Sequence, residues 1–504
     1  MVLRICEAEK RKVERLATCI LALVATAGFI WLWNACQAAI LGAVEIGCDE
    51  HYEVSKGFLW AKGHSLYSEV WNDQPPLHTV LLGLCFKIFG TSIIVARALA
   101  VAFGLSLLVG CAVMVGARSG MLAAGISMIC LIAAPQVFEL SISAMLELPA
   151  FAMALWALGP VLWWQKQRKW PWLMLSGMIM AMAMHIKLTA ALVAPALLVE
   201  IMANASKPGE PLSVWKTLRY IWIWVGSWMA GYMALMCMIG ATPLDVIRAS
   251  HYSQQVLSHA ASNQFFPFWP LLSDHPEALW GAGGALVLVW WRRDWRRLAF
   301  PLAMLGTVIL VHMKHRPWWP YYYLHLAIPL AWLTGYLAGE LMKKAWTKGC
   351  DSEGDAPWRR QAGLAAGSIA IAVILASGSE RLASEVGRIR MLPRIEQSAL
   401  ISKMRQYANG THWVYTRQTI YAFHAGLPVV PELAVMPAKR FWSGQITDQQ
   451  IGECLARYKP EQLLLTSDPW DKEALKLANA GYAAVYQEGG LVLYVAKSLD
   501  AHER

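Results

Sequence analysis

Residues 16–50 read LATCILALVATAGFIWLWNACQAAILGAVEIGCDE, an apolar run from Leu16 to Trp33 that continues through Ala39 and Val44 and stops on Asp49-Glu50. A helix needs about 20 mostly apolar residues to cross roughly 30 Å of hydrocarbon, and this run supplies them. Lys10, Arg11, Lys12 and Arg15 precede it in the manner of a secretory signal, but no small-residue cleavage site follows, so it reads as a retained anchor. Two carboxylates end the run. Holding such a group at the bilayer centre costs about 2.5–3.5 kcal/mol or more, so Asp49 opens a loop at the membrane surface.

Working outward, runs of the same kind recur: Val95 to Gly116, Met121 to Ala134, Ala150 to Trp164, Trp172 to Ile186, Ala190 to Met202, Tyr220 to Ile239, Leu279 to Trp291, Leu298 to Val311, Leu324 to Met342 and Ala362 to Ala376. With 57% hydrophobic and 15% charged residues among 504, the chain has too little polar surface for a soluble shell. The fold class expected is a polytopic α-helical membrane protein with about 11 (roughly 11–13) transmembrane helices, the shorter runs spanning by snorkelling and local thinning. The net charge of +10 does not call for nucleic acid, because the basic residues cluster between the apolar runs; the partner they imply is the bilayer. Ten cysteines form no CxxC pair and mostly lie inside apolar runs, where they read as packing residues.

The basic clusters orient the chain. They are Lys10 to Arg15, Lys166/Arg168/Lys169, Lys207 with Lys216 and Arg219, Arg292/Arg293/Arg296/Arg297, and Lys343/Lys344/Lys348 with Arg359/Arg360. All fall on the cytoplasmic side if the runs alternate and if Pro76 to Phe89 is a half-buried helix rather than a crossing. The N-terminus is then cytoplasmic. The loops 47–90, 136–146, 242–277 and 314–323, the turn at Lys187 and everything after about Gly378 face outward. Two domains are expected: 1–378 in the membrane, with a first exofacial loop at 45–92, and a soluble exofacial or periplasmic α/β domain at 379–504. In the latter, β-like runs (Trp413 to Thr416, Gln462 to Thr466, Ala483 to Tyr486, Leu491 to Val495) alternate with amphipathic helical stretches (Ile395 to Tyr407, Asp448 to Tyr458, Lys472 to Ala480).

Polar chemistry concentrates on the outer face. Partial desolvation at a membrane surface raises the pKa of one of two adjacent carboxylates and suits it to act as a general base, although an acidic pair also simply marks the end of a helix. Glu147, before Leu148-Pro149, opens another span from the same side, where it equally complements the helix dipole. Lys187 and the run Lys314-His315-Arg316 break the positive-inside pattern and so need anionic partners. A phosphate fits, as does, for Lys187, an internal salt bridge to Asp49 or Glu147. The following Trp318-Trp319-Pro320-Tyr321-Tyr322-Tyr323 reads as an interfacial aromatic belt or as a stacking surface for sugars and prenyl chains. No HExxH, GxxxxGK[ST] or GxGxxG motif is present, which argues against a dedicated metal and an ATP-driven pump.

The ordered set Asp49-Glu50-His51-Tyr52, Gly63-His64-Ser65-Leu66-Tyr67, Gln74-Pro75-Pro76-Leu77, Phe89-Gly90 and Arg97 resembles the N-terminal signature of bacterial GT-C glycosyltransferases of the protein-O-mannosyltransferase superfamily. That superfamily includes the lipid A aminoarabinose transferases and rhizobial lipopolysaccharide core glycosyltransferases. Glu147-Leu148-Pro149 is similar to its second acidic motif, normally Asp-x-Pro, and the segment from Lys314 to Tyr323 resembles its late exofacial loop. Two departures stand out: Glu147 replaces the usual Asp, and Gln74 stands where many members have Lys before Pro-Pro.

The resemblance implies a GT-C-like fold and a glycosyltransferase that moves a sugar from a polyprenyl-phosphate-linked donor to a hydroxyl of an envelope glycolipid, glycan or protein, with inversion, at the bacterial inner membrane. It implies Asp49 as catalytic base, with Glu50 beside it. Glu50, Tyr52 and Glu147 would shape the acceptor or order a divalent cation, no other cofactor being implied. Lys187, Lys314 and Arg316 would hold the lipid phosphate, with His315 as a further substrate-binding residue. The competing reading is a transporter or flippase of lipid-linked precursors, which predicts inverted repeats and broken midplane helices that the sequence does not display.

Overall fold

The computed structural model describes residues 33–34, 37–38, 40–206, 211, 213–253, 256, 258, 275–315, 318–351, 357–466 and 471–499. The expected first span before Trp33, the basic cluster Lys10 to Arg15, Lys207 and Arg316 lie outside these residues. The chain is mostly helical, in the order α1 Glu50–Ala61, α2 Leu77–Phe89, α3 Ile93–Ser119, α4 Met121–Ile132, α5 Val137–Ile142, α6 Glu147–Trp156, α7 Leu158–Gln167, α8 Pro171–Ile186, α9 Ala194–Ala203, α10 Val214–Ile239 and α11 Leu244–Tyr252. There follow α12 Pro276–Arg292, α13 Ala299–His312, α14 Tyr323–Asp351 and α15 Pro357–Arg390.

Local chemistry sets these boundaries. The Ser92 hydroxyl accepts a bond from Val95 N at the start of α3, and Gly120, at φ +93°, ends the helix. Ser213 and Gly240 do the same for α10. Among the described residues, α3 and α10 are long and apolar enough to cross a membrane, and several shorter apolar helices accompany them. Helix α10 turns Trp222, Met229, Met233 and Met238 outward, an apolar face that suits lipid and is costly in water. The run from Ala150 to Trp164, expected as one crossing, is two helices that meet at Ala157. Pro160 has no N–H to give to the carbonyl of Trp156 and its ring clashes there, so the helix restarts. Small residues let other helices approach closely. A Cβ on Gly177 of α8 would lie 2.7 Å from the Trp224 carbonyl of α10, and one on Gly335 of α14 would collide with Ala123 and Ser127 of α4.

Beyond α15 come α16 Ala399–Gln406, β1 Val414–Thr416, α17 Thr419–Ala425, α18 Ala438–Trp442, α19 Asp448–Tyr458, β2 Gln462–Leu465, α20 Lys472–Gly481, β3 Tyr482–Glu488 and β4 Leu491–Ala496. The four strands form one sheet in the order β1-β2-β4-β3. β1 pairs parallel with β2 (Val414 opposite Gln462), and β4 pairs antiparallel with β2 and β3 (Leu493 opposite Leu464). This sheet region is packed onto the loop that begins at Asp49. Val54 and Phe58 of α1, Leu82 and Phe86 of α2 and Ile93 of α3 share one buried cluster with Ile401, Ile420 and Phe423. The Phe423 ring lies 5.9 Å from Phe58 and 5.7 Å from Phe86. Polar bonds add to the seam: Val44 N donates to Pro393 O at 2.8 Å, Thr419 Oγ1 to His51 O at 3.0 Å and Trp71 Nε1 to Gln445 Oε1 at 2.9 Å.

Candidate active site

Asp49 is the N-cap of α1, and its backbone carbonyl accepts from Tyr52 N and Glu53 N. The carboxylate is half-buried at the positive end of the helix dipole. Among the described residues no hydrogen bond or ion pair engages that side chain. Its charge acts on Tyr52, Lys187, Tyr321 and Tyr322.

The other carboxylates nearby are committed. Glu50, expected beside Asp49 as a catalytic group, is fully buried, and both its oxygens are taken. Arg97 Nε donates to Oε1 at 3.1 Å and Nη2 to Oε2 at 2.8 Å, while Ile46 N and Ala144 N complete the set at 2.9 and 3.2 Å. Arg97 Nη1 also donates to the carbonyls of Ile40 (2.6 Å) and Ala43 (2.9 Å), fastening the entry to the loop onto α3. Glu53 receives Lys56 Nζ at 2.7 Å, and Lys56 also donates to Asn72 Oδ1 at 3.1 Å. Glu45 accepts from His51. Glu147 is ion-paired with Lys187, so the salt bridge weighed for that lysine is formed. The Lys187 ammonium also lies 5.1 Å from the centre of the Tyr321 ring.

Asp73 was not singled out by sequence reasoning, yet it is the acid of the loop that reaches the C-terminal region. Its Oδ2 receives Lys439 of α18 and the Gln74 amide at 3.4 Å, and His251 Nε2 of α11 lies 3.2 Å away. Burial alone would raise the Asp73 carboxyl, but the Lys439 and His251 charges outweigh it and hold the group well below the ordinary 3.8. The segment itself is fixed from within, since Tyr67 Oη and Asn72 Nδ2 both donate to the Gln74 carbonyl at 2.8 Å.

Tyr52 is half-buried with its ring 3.8 Å from that of His51, and burial together with the Asp49 charge pushes its phenol up. Lys314 is exposed and has no bonded partner among the described residues; His315 is exposed too, 6.0 Å from the Tyr322 ring and within electrostatic reach of His251. Behind them Tyr322, His312 and His325 stack, Trp318 meets Tyr322 edge-on, and His312 Nε2 and His325 Nδ1 are 3.0 Å apart. The structure thus gathers Asp49, Tyr52, Glu147, Lys187 and the late aromatic loop, and adds Asp73, His251 and Lys439. Among the described residues no three His, Cys, Asp or Glu side chains form a metal-binding group.

Residues 73–238 match the family model described as dolichyl-phosphate-mannose-protein mannosyltransferase. No curated protein matches by sequence. Among solved structures, ArnT from Cupriavidus metallidurans, bound to undecaprenyl phosphate, superposes with a TM-score of 0.60 at 15% identity, covering 94% of this chain and 99% of that one. The Archaeoglobus fulgidus oligosaccharyltransferase in the apo form gives 0.55 at 12% identity, covering 97% and 75%. The archaeal AglB in complex with an inhibitory peptide and a dolichol-phosphate gives 0.53 at 12%, covering 93% and 74%. The resemblance read from the segment Asp49 to Arg97 is borne out by the family match and by a fold shared over nearly the whole chain.

Proposed function

We infer that this chain, with the fold of membrane GT-C glycosyltransferases and a mannosyltransferase-family segment at 73–238, moves a sugar from a polyprenyl-phosphate donor to an acceptor hydroxyl with inversion. The observation that carries this reading is the isolation of Asp49: Glu50, Glu53, Asp73 and Glu147 are each paired with a cation, while among the described residues the Asp49 carboxylate is not. Asp49 takes the proton of the acceptor hydroxyl. The oxygen attacks the anomeric carbon, and the bond from that carbon to the phosphate oxygen breaks with its electrons going to the lipid phosphate. No nucleotide is needed, since the sugar arrives already activated.

Lys187, steadied by Glu147, and the exposed Lys314 and His315 receive the phosphate. Arg316, outside the described residues, belongs to the same loop. Tyr52 lines the acceptor side. Glu50 is a positioning residue that holds the loop through Arg97. The site faces outward in a bacterial inner membrane crossed about 11 times, with residues 379–504 on the periplasmic side. The acceptor is an envelope glycolipid, glycan or protein.

The test is a deletion strain complemented with the parent or the Asp49→Asn gene, its glycolipids and glycoproteins compared by mass spectrometry. A positioned base is worth about 10² to 10⁴ in rate, so the variant is expected to fold, insert and lose transfer at least ~100-fold. Near-normal transfer by Asp49→Asn would refute the assignment.

A further inference from the structure

The turn between α12 and α13 reads Trp290-Trp291-Arg292-Arg293-Asp294-Trp295-Arg296-Arg297, which sets three indoles and four guanidiniums at the junction of two apolar helices. Two of the arginines are committed to the protein. Arg292 pairs with one oxygen of Glu340 on α14, and Arg297 Nη1 lies 3.3 Å from the other. Arg297 Nε also donates to the Arg118 carbonyl at 2.6 Å, and its guanidinium lies 5.6 Å from the centre of the Tyr336 ring. Arg118 in turn pairs with Glu200 of α9, whose Oε1 accepts from Gln165 at 2.7 Å. Glu200 and Glu340, the buried acids of this cluster, are thereby neutralised. Arg293 and Arg296 are left over. Both are exposed, and neither has a hydrogen bond or ion pair among the described residues. Asp294, the one acid of the turn, lies 3.8 Å from Arg297 instead. Beside the two free guanidiniums, Trp290 and Trp291 are 74% and 83% exposed, and Trp290 meets Trp295 edge-on at 5.9 Å.

We propose that this turn is a binding site for the head group of an anionic phospholipid of the bilayer. Indoles prefer the boundary between hydrocarbon and water, where the ring is dry and the N–H is wet, so the three tryptophans fix the depth of the turn at the head-group level. At that depth the anion that meets an unpaired guanidinium is a lipid phosphate, which the planar fork of arginine binds through two parallel N–H bonds. Arg293 and Arg296 hold the phosphate, and the indoles lie along the glycerol and the upper acyl chains. A zwitterionic head group brings its own cation, so the surplus of two positive charges favours an anionic lipid. Glu340 supports the site from within, because it ties both ends of the turn, Arg292 and Arg297, to α14. The site is separate from sugar transfer and rests on α12 and α13 lying in a bilayer.

The test titrates the full-length protein, in an uncharged detergent, with phosphatidylglycerol or phosphatidylcholine and counts bound lipid by native mass spectrometry. The parent is expected to prefer phosphatidylglycerol, and Arg293→Gln/Arg296→Gln to weaken that binding by about tenfold or more while leaving phosphatidylcholine binding unchanged. Lys166→Gln/Lys169→Gln removes the same charge from two exposed lysines of another basic turn and is expected to stay within about threefold of the parent. An equal loss in both double variants would mean that diffuse surface charge attracts the lipid, and it overturns the site. So does a parent that binds the two lipids equally, or an arginine variant that keeps the parent's preference. Displacement of the lipid by equimolar glycerol 3-phosphate would assign the arginines to a soluble phosphate and overturn the lipid assignment. Release of the protein from membranes by alkaline carbonate without detergent would overturn the bilayer placement itself.

Discussion

Glu50→Gln and Asp49→Asn are adjacent, chemically identical changes with opposite expected consequences. Glu50 and Arg97 are a pair cut off from water, and neutralising one member leaves the other buried without compensation. Such a break costs about 3–5 kcal/mol, so Glu50→Gln or Arg97→Met should sharply lower the unfolding temperature of the purified protein. Asp49→Asn removes no hydrogen bond or ion pair among the described residues, and its unfolding temperature should stay near that of the parent while transfer falls. The sequence announces an acidic pair after an apolar run, but only the arginine 47 residues further on decides which acid is structural. Asp73 carries a pH prediction. Its pKa is depressed in the folded protein, so its pairing stabilises at pH values above the ordinary 3.8 and is lost as pH falls through the lower folded value. The difference in unfolding temperature between the parent and Asp73→Asn should still be present at about pH 5 and close only below pH 3.8.

Helices are where the sequence was most readable. Ser92 and Gly120 bracket α3, and the apolar runs lie where α3, α4, α8 and α10 form. The run at Ala150 to Trp164 was harder, because composition counts apolar residues and passes over a single proline that breaks the hydrogen-bond ladder. Close approaches were not readable at all, since a glycine shows its neighbour only once two helices cross. Gly177 faces backbone atoms of α10, which cannot swing aside, whereas Gly226 on α10 itself has open space around it. Gly177→Ala and Gly335→Ala should each cost about 1–3 kcal/mol through overpacking. Gly226→Ala should be neutral or slightly stabilising, because alanine is the better helix former. Thermal unfolding of the three variants in one detergent checks this, and equal behaviour would show that the helix contacts are looser than described.

At the scale of the whole molecule, the first loop and the C-terminal region are one folding unit. Phe423 fills the slot between Phe58 and Phe86, and Phe423→Ala should cost about 3–5 kcal/mol. The region should then loosen together with α1, read as faster hydrogen exchange at both 50–61 and 399–425; loosening confined to the C-terminal part would contradict the shared core. All four strands were legible from short apolar runs, β3 within Ala483 to Tyr486, but the docking of that sheet was not. Lys439, His251 and Gln445 carry no motif and find Asp73 and Trp71 only through tertiary structure.

The seam also constrains how the protein is made. The contact between His424 and Val44 spans 380 of the 504 residues, and three-quarters of the chain is synthesised between its two halves. Pairings of such sequence separation form late and slowly. The first loop therefore waits, with Asp49 in place but Asp73 without Lys439, until the last hundred or so residues have emerged. A chain cut short before the sheet region keeps Asp49, Tyr52, Lys187 and Tyr321 but leaves Asp73 without Lys439 and the Phe58–Phe86 slot without Phe423.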